Sequence, residues 1–197
     1  MTPAAVVLTE ERILDAAEDV LRRFGPAKAT VVDVAKALGV SHGTVYRHFP
    51  TKVALRDAVA RRWLARIAEP LEPAGDTAGP AAERLLRWLQ RLAGIKQGMA
   101  QEDPELFATF SQLTTEAREV VAEHVDHLAA QLTEIVADGT RNGEFAAADP
   151  AASGRALLYA TARFHHPLHA PEWADPAIHD DLIEVWKLLV QGLAVRR

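Results

Sequence analysis

Between Thr30 and Thr51 the chain starts three helices and stops two, leaving little freedom in how this stretch folds. Thr30 is an N-cap, and Asp33 three residues on makes Thr30-Val31-Val32-Asp33 a short-chain capping box. Val31, Val34, Ala35 and Leu38 then recur at helical spacing, and Gly39 ends the segment. Only Gly39 and Val40 separate it from the next cap, Ser41. The following helix runs from His42 to about Phe49 and stops at Pro50. Thr51 caps a longer helix whose apolar positions are Val53, Leu55, Val59, Trp63, Leu64 and Ile67. Two short helices joined by a glycine turn form a helix-turn-helix pattern.

The rest of the chain reads as helix on both sides. Thr9 caps a first helix with Glu10 and Glu11 in its first turn, where the helix dipole favours anions. Ile13, Leu14, Ala17, Val20, Leu21 and Phe24 form its apolar face, and Gly25-Pro26 stops it. Pro70 to Pro80 reads as a linker. Beyond it, helices are expected from about Ala81 to Gly98, briefly after Asp103-Pro104, and from about Thr115 to Arg141. Two more are expected from Pro150 to about His165 and from about Pro176 to Val195. With no strand pattern and no repeat, the expected fold is all-α with about nine helices. Its domains are a helix-turn-helix domain over residues 1–56, whose connecting helix continues to about 68, and a second domain over 69–197.

Charge divides along the same line. The net charge is −5. Residues 1–66 hold 11 Lys/Arg against 7 Asp/Glu, whereas 67–197 hold 11 against 20. A basic third followed by an acidic remainder suits one part that meets phosphates and another with a different task. The absence of cysteine excludes a disulfide framework or thiolate metal site. No apolar run has the length of a bilayer span, and Met1–Leu8 lacks the basic start of a signal peptide. A cytoplasmic protein without membrane contact is expected.

The short helix after Ser41 carries the functional chemistry. Val45 and Phe49 lie one turn apart and are expected to face inward, so burial alone does not account for a helix with two apolar anchors. Its other face offers hydrogen-bonding groups at Thr44, Tyr46, Arg47 and His48. Gly43 costs about 1 kcal/mol inside a helix, which fits close approach of the backbone to another surface. The DNA major groove admits a helix of this kind.

Gly39-Val40-Ser41, Gly43-Thr44-Val45-Tyr46, His48-Phe49 and Lys52-Val53-Ala54-Leu55 together resemble the DNA-binding domain of the TetR (tetracycline-repressor) family. Arg12-Ile13-Leu14-Asp15-Ala16-Ala17 and Phe24-Gly25 resemble the family's first helix. The resemblance covers roughly residues 10–56. It implies that Thr30 and Ser41, as helix caps, lie close to phosphates and that Thr44, Tyr46 and His48 touch the DNA backbone. Lys52 would grip a phosphate, His42 and Gly43 would face base edges, and Arg47 would reach either. Some members present an arginine near the start of the second helix to a base. Here Val31 and Val32 occupy that stretch, and no basic N-terminal arm precedes it, so minor-groove contacts from Met1–Leu8 are not expected.

The resemblance further implies a homodimer on a palindromic double-stranded operator and a small-molecule effector bound in the C-terminal helices. Candidate pocket residues are Trp88, Met99, Phe107, Phe110, His124, His127, Tyr159 and Phe164, which suit a mostly apolar ligand. Ala152, Gly154, Ala156, Ala160 and Ala162 give one helix a small-residue face. Leu182, Val185, Trp186, Leu189 and Leu193 form a stripe on the last helix, and these two are the candidate dimer interface. His165, His166 and His169 cluster, and His165 and His169 have metal-binding spacing on a helix, but Pro167 lies between those two, so no metal is expected. No cofactor is expected, and no nucleophile–base pair or phosphate loop supports an enzyme. The expectation is a ligand-released repressor; the alternative is an architectural or cell-division DNA-binding protein without an effector.

Overall fold

Local signals and helix ends agree closely at the N-terminal end of the chain. The computed structural model describes residues 8–72 and 79–195. Most of the linker expectation and the expected lack of an N-terminal arm concern residues outside that range. Among the described residues there are nine α-helices: α1 (Glu10–Lys28), α2 (Val31–Leu38), α3 (His42–His48), α4 (Lys52–Ala68), α5 (Ala81–Glu102), α6 (Pro104–Glu116), α7 (Arg118–Arg141), α8 (Pro150–Ala160) and α9 (Ile178–Leu193). The chain divides into two compact units, one of Met1–Leu64 with Glu105–Val121 and one of Ala65–Pro104 with Ala122–Arg197.

In the first unit Ile13, Val45 and Val59 are almost wholly excluded from water, along with Val34, Ala35 and Leu55. Burying each valine, leucine or isoleucine among them contributes about 1.5–3 kcal/mol, which holds together helices too short to persist alone. Gly25 breaks α1 with φ 72° where Gly25-Pro26 signals a stop, and the last turn resumes beyond it. Phe24, expected on the apolar face, is exposed and carries the Arg23 guanidinium over its ring. Val53 is also exposed, because Leu55 and Val59 take the inward positions of α4. Arg62 of α4 holds α1 through Asp15, at 2.8 Å, and Glu18, also at 2.8 Å. Trp63 of α4 stacks on Phe110 of α6 with centroids 4.2 Å apart, and Arg56 pairs with Glu116 at 2.6 Å.

The break between α6 and α7 falls at Ala117, so α6 is longer and α7 starts later than the periodicity predicts. The hydroxyls of Thr114 and Thr115 both donate to the Ser111 carbonyl, competing with the regular ladder there.

In the second unit Leu85, Leu89, Leu92, Leu132 and Val136 form the centre of the core. Gly154 lets α8 lie against α7, since a Cβ there would sit 2.8 Å from the Thr133 backbone nitrogen. Helix α8 ends at Ala160, five residues before the expected end. Thr161 donates its buried hydroxyl to the Leu157 carbonyl, and the His165 imidazole lies 3.1 Å from the Leu158 carbonyl. The Leu157 carbonyl still accepts from the Thr161 N–H, but the Leu158 carbonyl is taken by a side chain where a continuing helix would use it. The helical continuity that the His165–His169 spacing presumes is therefore lost before Pro167. Among the described residues no group of three or more His, Asp or Glu is arranged to hold a metal ion, and no helix is long and apolar enough to cross a membrane.

Candidate nucleic-acid interface

The turn between α2 and α3 is fixed by its own backbone. Gly39 adopts φ 68°, ψ 28°, a left-handed conformation that glycine enters without a Cβ penalty. The Gly39 N–H donates to the Lys36 carbonyl at 3.2 Å and the Val40 N–H to the Ala35 carbonyl at 3.0 Å, a Schellman closure. On the far side, the Ser41 hydroxyl accepts from the Thr44 N–H at 3.2 Å and lies 2.9 Å from the Thr44 hydroxyl. Val45 and Phe49 anchor α3 to the core. Because the turn and both anchors are set, the outer face of α3 is presented in one orientation.

That face consists of His42, Gly43, Tyr46 and Arg47, all exposed, with Thr44 and His48 half-buried at its edges. His42 and Tyr46 meet edge to face, ring centroids 6.2 Å apart, so one aromatic positions the other. A Cβ added at Gly43 would meet only the Ser41 hydroxyl, at 3.7 Å. Nothing inside the fold requires glycine there.

Thr30 and Lys52 stand at the starts of α2 and α4, both exposed, and line the same small crevice with Val31, Leu55 and Val59. The capping box is complete: Thr30 accepts from the Asp33 N–H at 3.2 Å, and Asp33 accepts from the Thr30 N–H at 3.1 Å. The Thr30 hydroxyl also donates to Asp33 at 2.6 Å, so it is engaged within the chain. Thr51 accepts from the Ala54 N–H at 2.9 Å, which orients the first turn of α4 and Lys52 with it. At the start of α2, Val31 is buried and Val32 is exposed, so the outward position where an arginine would stand is apolar.

The candidate pocket residues fall in different surroundings. Phe107 and Phe110 are buried in the first unit. In the second, Trp88 and Phe164 are buried, Met99 is half-buried and Tyr159 is exposed. Trp88 donates its indole N–H to Gln131 at 2.8 Å, and Gln131 in turn reaches His127 at 3.1 Å. His127 is exposed and lies 3.4 Å from Glu72. His124 is half-buried, its Nε2 without a hydrogen-bond partner, and burial pushes its imidazole down to about 3. Sequence reasoning missed Lys96. It lies on the buried face of α5 with Leu89, Leu92 and Ala93, and burial pushes its ammonium down to about 8. A lysine at the i+4 position after Leu92 was the available signal.

On α9, Leu182 and Trp186 are buried within the protomer, so they belong to its core and not to an outward stripe. The outward positions are Leu188, which is 72% exposed, with Val185, Leu189 and Leu193 half-buried beside it. On α8, Ala152, Ala156 and Ala160 face outward, while Gly154 faces α7.

A family model described as bacterial regulatory proteins, tetR family, matches residues 13–59. A second, described as tetracyclin repressor-like, C-terminal domain, matches residues 81–186. An uncharacterised HTH-type transcriptional regulator of Mycobacterium tuberculosis is 34% identical over 105 residues, 53% of this chain and 50% of that protein. The HTH-type transcriptional regulator UidR of Escherichia coli strain K12 is 38% identical over 68 residues, 32% of this chain and 35% of that protein. The chain thus spans half the length, or less, of these curated relatives. Among solved structures, the transcriptional regulator FadR of Bacillus subtilis, in complex with stearoyl-CoA, gives a TM-score of 0.65 at 20% identity, covering 93% of this chain and 99% of that one. Reduced NemR of E. coli gives 0.65 at 19% identity, covering 95% and 99%. At these identities the likeness concerns the fold.

Proposed function

Because this chain belongs to the TetR family of bacterial transcriptional regulators, we propose that it is a repressor that binds a palindromic operator as a homodimer and releases it when a small molecule enters the C-terminal domain. The observation that carries the reading is the outer face of α3: His42, Gly43, Tyr46 and Arg47 lie outward while Val45 and Phe49 hold the helix rigidly from behind. Helix N-termini, hydroxyls and a lysine suit phosphate oxygens. Thr30 contributes mainly through its backbone and helix end, since its hydroxyl is engaged by Asp33. Ser41, Thr44, Tyr46, His48 and Lys52 would contact phosphates, and His42 and Arg47 would face bases across the gap left at Gly43. The domains of this reading are a DNA-binding part over 1–56 and an effector and dimerisation part over 69–197.

A two-fold dimer places two such helices in major grooves on one face of the duplex. The outward faces of α8 and α9, with Tyr159, Val185, Leu188, Leu189 and Leu193, supply the apolar surface for it. For release, the stack of Phe110 on Trp63 and the Arg56–Glu116 pair tie α6 to α4, so a displacement of α6 would be passed to the head. Ligand and DNA would then oppose one another with a coupling of about 1–3 kcal/mol.

The test is binding to DNA selected from a random pool by the full chain, measured against salt. Lys52→Ala is expected to lower the salt slope by about 0.9 and weaken all sequences alike. His42→Ala is expected to shift preference at one position per half-site by about 1–3 kcal/mol. Unchanged binding in both variants would remove the α3 reading. DNA binding that no pocket ligand alters would favour an architectural role.

A further inference from the structure

The second unit buries polar side chains at several places, one of them around Lys96. Lys96 of α5 is 8% exposed and makes no ion pair or hydrogen bond among the described residues. Three histidines feel its charge: His124 on α7, and His165 and His166 in the turn after α8. His165 is 7% exposed and is held at the Leu158 carbonyl. His124 carries a buried Nε2 without a partner. The other groups that act on these histidines are basic as well, namely His127 and His169. The acids nearby are engaged further out, Glu72 beside His127 and Glu172 with His169 at 2.6 Å. Apolar residues surround the site along each element: Leu92 and Ala93 one turn before Lys96, Leu128 one turn after His124, and Phe164 beside His165.

A buried ammonium with no counter-charge is expensive, and a folded chain ordinarily neutralises it or pairs it. The cluster offers one positive charge and imidazole groups as further hydrogen-bond partners, within an apolar lining. We infer that Lys96 and His124, with the neutral His165 ring beside them, form the receptor for the carboxylate of a small organic acid. The single ammonium balances one negative charge, as a monocarboxylate requires and a phosphate dianion exceeds. The ammonium donates to one carboxylate oxygen, and a ring N–H of His124 donates to the other. Burial, which holds Lys96 near 8 without a ligand, makes carboxylate binding take up a proton above that pH. This rests on the effector-responsive reading above and narrows its mostly apolar ligand to one with an acidic head.

The test uses the full chain and a defined panel: straight-chain monocarboxylates of two to twelve carbons and benzoate, each beside its primary amide, with inorganic phosphate as a further arm. Thermal unfolding and calorimetry in two buffers report binding and proton uptake without DNA present. Some acids of the panel are expected to raise the Tm, with each amide about tenfold weaker or more, a ratio that corresponds to 1.4 kcal/mol. Lys96→Met is expected to fold, to resist heat better than the parent without ligand, and to lose the preference for acid over amide. His124→Gln is expected to retain the charge preference at reduced affinity. No stabilisation by any acid, equal stabilisation by acid and amide, a preference for phosphate, or an acid preference surviving in Lys96→Met each overturns the inference. DNA binding distinguishes the two readings. Acids that bind through Lys96 and leave DNA affinity unchanged keep this site and remove the inducer model. A neutral compound that releases DNA from parent and Lys96→Met alike does the reverse.

Discussion

The two units bury different chemistry. Among the described residues of the first unit, every fully buried side chain is hydrophobic, and its charged groups are at most half-buried, as in the Arg62–Glu18 and Arg56–Glu116 pairs. The second buries Arg84, Lys96, Gln131, Thr161 and His165 among its leucines and valines. Some of these find partners within the chain: Gln131 in Trp88, Thr161 in the Leu157 carbonyl, and Arg84 in Asp138, although the Arg84 Nε has no hydrogen-bond partner. Lys96 makes no ion pair or hydrogen bond among the described residues. A unit that must present one rigid surface gains from an apolar core with a single packing solution. A unit that recognises a small molecule, as proposed for the second, needs polar groups in its interior, and it loses stability for as long as they are unmatched.

Acid separates the units most strongly. Burial, followed by the charge of Lys96, holds the His165 imidazole down to about 3, so the folded chain keeps it neutral. The unfolded chain binds that proton once pH falls below about 6.5. Stability from this group is therefore lost as pH drops from about 6.5 towards 3, at about 1.4 kcal/mol per pH unit and about 5 kcal/mol in total. His124 adds to the loss in the same window. Denaturant unfolding followed through Trp173 in the second unit is expected to show this slope, and His165→Gln is expected to reduce it. A flat profile in the parent breaks the contrast.

The place of α6 in the first unit is the next point to break. Phe110 is fully buried on Trp63. Phe110→Ala is expected to cost about 3–5 kcal/mol. With the other three tryptophans replaced by phenylalanine, Trp63 fluorescence is expected to report the loss. An unchanged Trp63 signal would detach α6 from the head.

Lys96→Met is expected to stabilise the protein without ligand, on the order of 3 kcal/mol at neutral pH. Below about 8 both folded and unfolded chains hold the proton, so the burial penalty is complete there. It fades as pH rises from about 8 to 10.5, where only the unfolded chain remains protonated. Denaturation curves of both proteins at pH 7 and 10.5 check the sign; a destabilised variant at pH 7 would mean that the lysine is compensated.

The smallest expected effect sharpens the comparison most. Gly43→Ala is expected to stabilise the head by about 1 kcal/mol, because alanine favours helix and open space receives the Cβ. DNA affinity is expected to fall at the same time, measured by fluorescence anisotropy. Stability and binding changing together in the same direction would show that Gly43 is not kept for close approach.

The head was legible in the sequence because its determinants are local. Thr30, Asp33, Gly39, Ser41 and Thr51 act within a few residues of themselves, and each makes the hydrogen bonds or adopts the dihedral that its type favours. The all-helical class followed from the same kind of signal, repeated along the chain. Tertiary packing decided the rest. Periodicity identifies the apolar stripe of a helix but not its partner, so it could not assign Phe107 and Phe110 to the head or Leu182 and Trp186 to the protomer's own core. Nor could it end α8 at Ala160, where the His165 imidazole takes the Leu158 carbonyl from a helix that the periodicity continues. The Lys96 cluster is the clearest case. Its members come from α5, α7 and the turn after α8, about thirty and forty residues apart in sequence, a separation over which only the folded chain fixes distance. Sequence alone places a lysine on an apolar face; only the folded chain buries it with no carboxylate paired to it among the described residues.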